Sequence, residues 1–301
     1  MISYQRCPVC DSSGIQQALT ATDHTVTLEK FSIWQCANCS LRFTQDVPDA
    51  NEIAKYYKSE NYISHSETDK GIINWLYLQV RKYTLSSKRN FICNETGIKK
   101  GILLDIGAGA GAFVHHMKFH GWKVNGVEPD TTAIERASSE YGIQLLPAAS
   151  LFSLQGQLYD AITMWHVLEH VHDLHAYISH IKSICKTGGK IFIAVPNYTS
   201  YDAIHYESTW AAYDVPRHLF HFSPASMQEL MKKHGCVIEK IQPMWFDSFY
   251  VSLLSERYKT GHPNLLKGFW NGLRSNMKAA SKFRRASSII YVIRVGGQLP
   301  A

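Results

Sequence analysis

The segment GILLDIGAGAGAF, residues 101 to 113, constrains this chain more than any other. An apolar strand, Ile102 to Ile106, runs into three alternating glycines and then a helix. Gly107 and Gly109 permit a sharp turn and a close backbone approach to a ligand, and Gly111 lets the helix start near the strand. A second strand, KVNGVE, ends 21 residues beyond Gly107 in Glu128, placed to accept hydrogen bonds from two ribose hydroxyls. That pattern is a nucleoside-binding strand–helix–strand unit.

Glycine spacing alone does not say which nucleoside, because Gly107-x-Gly109-x-x-Ala112 also satisfies the dinucleotide fingerprint. Asp105 separates the two. A carboxylate just before the turn would repel a pyrophosphate docked at the helix N-terminus. It suits a ligand bearing an ammonium group, such as the methionyl end of S-adenosylmethionine. Downstream, the pattern predicts helix over 131–141, strands over 143–146 and 159–165, and helix over 173–185. Strand 190–195, helix 224–234 and strand 236–243 follow. Such alternation gives a mostly parallel sheet with helices on both faces.

The stretch WHVLEHVHDLH begins where strand 159–165 ends. Its HVLEH has the spacing of an inverted zinc-protease motif, but such a site needs the motif inside a helix and a third ligand from a later one. Glu229 or Glu239 could nominally serve. Position decides against it: the motif sits at the carboxyl end of a strand, where open α/β sheets bind ligands. His166 is expected to face the cofactor or the acceptor. Glu169 and His170 are expected to open the next helix, where an acid suits the positive dipole end. His170 is either a general base or a polar residue bonded inside the fold. His172 and His175 are expected to be exposed.

Cys7-Pro8-Val9-Cys10 and Cys36-Ala37-Asn38-Cys39 form two pairs separated by 25 residues. Together they offer a tetrahedral four-thiolate set that suits Zn²⁺. The spacing matches none of the usual ferredoxin runs. Four protein ligands leave no open position, so this metal holds the fold and does not react. Cys93, Cys185 and Cys236 are expected to be core thiols. Seven cysteines behind an N-terminus, MISYQRCPVC, with no apolar leader favour a cytoplasmic, thiol-preserving setting. No run of 18 apolar residues occurs, so no membrane span is expected. Residues 1–48 read as a zinc-binding knuckle module, 49–95 as linker and capping helices, and 96–301 as the main domain. Tyr56, Tyr57, Tyr62 and His65 in the linker either pack under a helix or cap a pocket from above.

The 29 residues from Pro196 to Pro224 are long for a connection between strand and helix unless they build a site. They carry Tyr206, Trp210, Tyr213, Arg217, His218 and His221. The aromatics can flank a sugar or ring, and Arg217 can pair with a carboxylate or phosphate. Alternatively, Trp210 and Phe220 anchor the loop to the core and His221 bonds to backbone. Further on, residues 257–294 hold nine Lys or Arg and no acid, although the whole chain is only +6. This is either a solvated helix face or a tail that meets phosphates or an anionic surface. No helix-turn-helix, RRM or KH pattern accompanies it, so nucleic acid is not the favoured partner.

LLDIGAGAG, VEPD, YDAITMWHVLEHV and GGKIFIAVPN resemble the successive motifs of class I S-adenosylmethionine-dependent methyltransferases, over about residues 56–243. The two knuckles followed by YYKSENY resemble a branch that includes sugar C-methyltransferases with a small zinc domain. The separate C-terminal domain of those sugar enzymes is not expected here. The resemblance implies an α/β fold: a doubly wound, Rossmann-like seven-stranded sheet with an antiparallel last strand, beside the small N-terminal zinc-knuckle module. That last strand falls at 288–294. The basic segment becomes a helical insertion at about 247–285, which lies over the active-site mouth or mediates homo-oligomerisation.

For the cofactor, the resemblance implies Asp105, Gly107, Ala108, Gly109, Gly111, Glu128, Pro129, Ala149, Ser150, Met164 and His166. It implies catalytic roles among His218, His170, His166 and Tyr213, with His218 the leading base by analogy with sugar-modifying relatives. Tyr62, Tyr206, Trp210, Tyr213, Arg217 and His218 become the acceptor side. The implied activity is in-line methyl transfer from S-adenosylmethionine to a small-molecule acceptor, sugar or secondary-metabolite-like, with structural Zn²⁺ at Cys7, Cys10, Cys36 and Cys39. Methylation of RNA or protein is the alternative suggested by the basic insertion and zinc module. It lacks the Asn-Pro-Pro-Tyr-type tetrad of many base-amino methyltransferases, since MWHV stands there. A non-catalytic S-adenosylmethionine-binding module is the third reading.

Overall fold

A computed structural model describes residues 1–57 and 72–296 of the chain. In order come strands β1 (Ile15–Thr22), β2 (Lys30–Cys36) and β3 (Arg42–Thr44), helix α1 (Ile72–Thr96), then β4 (Ile102–Ile106) and α2 (Ala112–Phe119). Next are β5 (Lys123–Glu128), α3 (Thr131–Tyr141), β6 (Leu146–Pro147), β7 (Tyr159–Trp165), α4 (Leu174–Ile184) and β8 (Cys185–Pro196). The last are α5 (Tyr201–Tyr206), β9 (Phe220–His221), α6 (Pro224–Lys233), β10 (Cys236–Pro243), α7 (Asp247–Thr260), α8 (Leu265–Ser281) and β11 (Ser288–Val295).

Seven strands form one mixed sheet in the order β10-β11-β8-β7-β4-β5-β6, with the last strand antiparallel. β4 pairs in parallel with both β5 and β7, and β5 with β6. The expected doubly wound sheet is therefore present. A second sheet of four, β1-β2-β3-β9, is antiparallel throughout.

The chain divides into two compact units. One comprises Ser64–Trp165, Ile178–Ile193 and Val292–Ala301. Its core gathers Leu103, Phe113, Met117, Trp122, Ala161 and Phe192. Strands covered on both faces need near-continuous apolar runs, which ILL of β4 and IFIAV of β8 supply. Asp130 opens α3 by accepting from the Thr132 amide.

The other unit comprises Met1–Ile63, His166–Tyr177 and Ala194–Tyr291. Its core includes Phe31, Ile33, Tyr206, Trp210, Tyr213 and Val215. Here β9 pairs with β3, Phe43 opposite Phe220 and Arg42 opposite His221. The long segment after β8 is thus stitched to the N-terminal sheet, and Tyr198 Oη adds a bond to the Ser40 carbonyl.

Four sequence expectations differ from what forms. The strand at 143–146 shrinks to Leu146–Pro147, because Ile143 and Leu145 are buried against Ala108, Val114 and Ala137 instead of lying in the sheet. Glu169 and His170 lie in a short 3₁₀ turn, Leu168–His170, and α4 begins only at Leu174. His172 and His175 are half-buried and bonded: His172 Nε2 donates to the Pro48 carbonyl, and His175 Nε2 to that of Pro8. Cys93 is only partly buried, whereas Cys185 and Cys236 are core thiols as expected. Among the described residues, no helix is long and apolar enough to cross a membrane.

Candidate functional site

The glycine turn is held from both sides. The amides of Gly107 and Ala108 donate to the Val127 carbonyl at 2.8 and 3.1 Å. Glu128, at the end of β5, accepts from the Gly109 amide through Oε2 at 2.7 Å and from the Asp130 amide through Oε1 at 3.0 Å. A carboxylate has about four lone-pair sites, so capacity remains for two hydroxyls. Burial raises the Glu128 pKa above its ordinary value. Gly109 has φ of 52°, and a Cβ there would meet nothing within 4 Å: the space beside the turn is open. At Gly111, with φ of 77°, a Cβ would lie 2.9 Å from that of Ala137, so α2 and α3 approach too closely for a side chain.

Asp105 lies beneath this turn, 1% exposed. Its Oδ1 accepts a 2.6 Å bond from Thr163 Oγ1, and burial pushes its pKa up to about 7 despite that bond. Thr163 escapes a sequence reading because it reaches Asp105 across neighbouring strands. Met164 is fully buried and pairs with Ile106, Pro129 is exposed just after Glu128, and Ala149 and Ser150 lie in the 3₁₀ segment Ala148–Ser153 behind β6. Apart from His166, the residues expected around the cofactor all fall in this one unit, on or just after strands β4 to β7.

The histidines belong to the other unit. His166 occupies the left-handed region with φ of 58°, a conformation costing about 1 kcal/mol or more for a non-glycine residue. Its Nδ1 is 3.3 Å from Glu169 Oε1 and its Nε2 is 2.9 Å from Asp247 Oδ2. Carboxylates only accept, so both ring nitrogens carry protons. Burial opposes that charge, but the bonds to Asp247 and Glu169 outweigh it and lift the pKa to about 10. His166 is therefore a cation at neutral pH, not a base. Asp247 had no signal in the sequence.

His170 and His218 are the opposite case. His170 Nδ1 donates to the Arg217 carbonyl at 3.0 Å and lies 3.1 Å from Tyr57 Oη. His218 Nδ1 donates to the Ala212 carbonyl at 2.9 Å. A proton on each Nδ1 leaves Nε2 as the acceptor nitrogen, and neither Nε2 has a hydrogen-bond partner among the described residues. Burial, with His218 beside it, lowers the His170 pKa to about 4. The two rings meet edge to face at 4.5 Å. Glu169 is fully buried, yet its Oε2 has no partner among the described residues. Ligating atoms of Glu169, His170 and His218 lie within 4.8 Å of one another, an arrangement able to take up a proton or hold a cation.

Arg217 is 1% exposed and fully engaged within the protein. Nη2 donates to Asp23 Oδ1 at 2.9 Å and Asp214 Oδ1 at 2.7 Å, Nε to Asp214 Oδ2 at 3.0 Å, and Nη1 to the Tyr56 carbonyl at 2.7 Å. Burial raises the pKa of Asp23 and of Asp214, but the guanidinium overrides it and holds both below the usual carboxylate range. The anions that answer Arg217 are thus the protein's own. Tyr206, Trp210 and Tyr213 are each 2% exposed. Their polar ends are bonded too: Tyr206 Oη donates to Glu256, Trp210 Nε1 donates to Asp202, and Tyr213 Oη accepts from Arg42. Expected to flank an acceptor, they instead fill this unit's core. His221 pairs with the Thr44 hydroxyl and not with backbone. Tyr62 and His65 lie outside the described residues.

The four cysteines converge. Cys7 and Cys39 Sγ are 3.5 Å apart, as are those of Cys10 and Cys36, and all four lie within 4.8 Å. A tetrahedral ion with Zn–S bonds of about 2.3 Å needs sulfurs about 3.8 Å apart, so the donor set fits. The two turns are alike: the Asp11 amide donates to the Cys7 carbonyl and Ser40 to that of Cys36, with φ of 60° and 59° at Asp11 and Ser40. Each turn presents two sulfurs to the same point.

A family model described as a methyltransferase domain matches residues 77–241. Among curated proteins, the chain is similar to the ubiquinone biosynthesis O-methyltransferase of Xanthomonas axonopodis pv. citri, 27% identical over 158 residues, covering 48% of this chain and 66% of the relative. It is also similar to the protein of that name from Chelativorans sp., 33% identical over 103 residues, covering 32% and 41%. It therefore spans less than two thirds of the length of either. In fold it is similar to a solved structure from Galdieria sulphuraria, described as a candidate sarcosine dimethylglycine methyltransferase, with TM-score 0.50 and 15% identity over 76% of this chain and 89% of that one.

Proposed function

The chain belongs to the methyltransferase-domain family, as a class I S-adenosylmethionine-dependent enzyme, and from that premise we propose that it methylates a ring hydroxyl of a small-molecule acceptor, sugar or secondary-metabolite-like. S-adenosylmethionine, when bound, supplies an electrophilic methyl on a good neutral leaving group. Glu128 accepts the ribose hydroxyls while holding the Gly109 amide, and Asp105 attracts the methionyl ammonium. Gly107, Ala108, Gly109 and Gly111 form the backbone edge of that cradle, with Pro129, Ala149, Ser150 and Met164 around it.

The observation that carries the acceptor reading is the tautomer of His170 and His218. Both imidazoles have Nδ1–H tied to a carbonyl and Nε2 left to accept. An alcohol or phenol must lose a proton as it is methylated, and a positioned base contributes about 10²- to 10⁴-fold. His218 is assigned that role, with His170 beside it. Similarity to the ubiquinone biosynthesis O-methyltransferases supports a hydroxyl acceptor. In the same reading, Cys7, Cys10, Cys36 and Cys39 hold a structural Zn²⁺, and the setting is cytoplasmic.

Methyl-labelled cofactor incubated with the full chain and a fractionated cell extract tests this proposal. Label is expected in the small-molecule fraction, lost at least tenfold in His218→Asn. Label in RNA or protein instead would overturn it. A second reading rests on Glu169 Oε2: the Glu169, His170 and His218 cluster would hold a divalent cation that binds the acceptor oxygen. Turnover that depends on added Mg²⁺ or Mn²⁺, and loses that dependence in Glu169→Gln, would favour it. Turnover indifferent to those ions would set it aside.

A further inference from the structure

Helix α8 is built inside out. Its inward stripe is small or polar: Gly268, Asn271, Gly272, Ser275 and Ala279 are buried. A Cβ at Gly268 would lie 2.7 Å from Leu253, and one at Gly272 2.8 Å from Phe249, so the glycines let α8 lie directly on α7. The large apolar side chains point the other way. Leu265 is 69% exposed, Leu266 76%, Phe269 51%, Trp270 58% and Met277 65%. With 3.6 residues per turn, these five positions fall within an arc of about 140° on one side of the helix.

Charge completes the pattern. On the same projection Lys267, Arg274 and Lys278 run along one edge of the apolar arc, and Lys282, Arg284 and Arg285 follow the helix. No Asp or Glu occurs after Glu256, itself buried and accepting from Tyr206 and Asn271. A nucleic acid would answer the cations and leave the leucines and tryptophan in water. An apolar protein groove would answer the leucines and leave the cations unmatched. A bilayer with anionic headgroups answers both, since an in-plane helix sinks its apolar face to the acyl boundary and keeps Lys and Arg at phosphate level. At 17 residues, α8 is shorter than the roughly 20 a span requires.

We propose that α8, supported by α7, docks this chain in the plane of an anionic lipid surface. The inference stands apart from the methyl-transfer reading, because none of these side chains belongs to either candidate site.

Flotation of the full chain tests it, using phosphatidylcholine vesicles with and without about 30 mol% phosphatidylglycerol. Retention on the anionic vesicles is expected at least tenfold above that on neutral ones, and is expected to fall as salt rises. Each basic residue near the surface contributes about fivefold, so Arg274→Glu with Lys278→Glu is expected to cut retention by twenty-fold or more. Leu266→Asp, which touches only the apolar arc, is expected to cut it tenfold. Circular dichroism and cofactor binding of both variants are expected to match the parent, showing that they fold. Absence of retention at low salt, or equal retention on neutral vesicles, would overturn the proposal. So would RNA binding without vesicle binding, which assigns the face to nucleic acid. A dimer lost in Leu266→Asp, with no vesicle binding, would assign it to a second copy and overturn it likewise.

Discussion

At Glu128 one carboxylate serves the fold and the ligand together. It fixes the Gly109 amide and has acceptor capacity left for ribose hydroxyls. Hydrogen bonds to a charged group contribute about 1.5–3 kcal/mol each, so Glu128→Ala is expected to weaken S-adenosylhomocysteine binding by about 10- to 100-fold in equilibrium dialysis. Unchanged affinity would refute the assignment. Asp105 makes a pH prediction. Burial holds its pKa at about 7, above the ordinary 3.8, so the folded chain keeps a proton that the unfolded chain loses. That contribution to stability is full below about pH 3.8 and is lost as pH rises through about 7. A bound ammonium draws the proton off, so affinity is expected to be about tenfold weaker at pH 6 than at pH 8, and flat in Asp105→Asn. A flat profile in the parent would contradict it. Both acids were legible because their spacing from the glycines is local. Thr163 and the partners of Arg217 were not: Thr163 lies 58 residues from Asp105, and Asp23 lies 194 residues from Arg217. The charge on His166 was not legible for the same reason, since the Asp247 that pairs with it stands 81 residues away.

Elements with a strong period were read well from sequence, and elements fixed by packing were not. β4, β5, α2 and α3 follow from apolar runs and the glycine turn, and the expected strand at 288–294 is β11. β9 is two residues long, visible only through its pairing with β3. The connection holding it is tied down by Arg217, which joins Asp23 behind β1, the Tyr56 carbonyl and Asp214. Removing one partner of a buried ion pair costs about 3–5 kcal/mol, so Arg217→Met is expected to lower unfolding stability by that order in urea titration. Loss below about 1 kcal/mol would mean that the pairs are solvent-screened. The paired cysteine turns make a matching prediction at this scale. Cys36→Ser is expected to release zinc, measured by elemental analysis, and to lower the melting temperature; unchanged metal content would count against the four-sulfur site.

For the whole molecule, the family resemblance implied a doubly wound seven-stranded sheet with an antiparallel last strand, and the sheet β10-β11-β8-β7-β4-β5-β6 has that form. The division into two units was not legible, because each is assembled from three separate segments. Nor was the fate of the aromatic loop. Its residue types suit both a binding pocket and a core, and only their burial decides between them. What stayed constant from sequence to structure is the pair of acids at the ends of β4 and β5, with a glycine turn between them in the chain. Parallel calorimetric titrations of the full chain with S-adenosylhomocysteine and with NAD test that pair most directly. Saturable, equimolar binding of the homocysteine nucleoside with no heat from the dinucleotide is the predicted result; binding of NAD with the nucleoside excluded would contradict it.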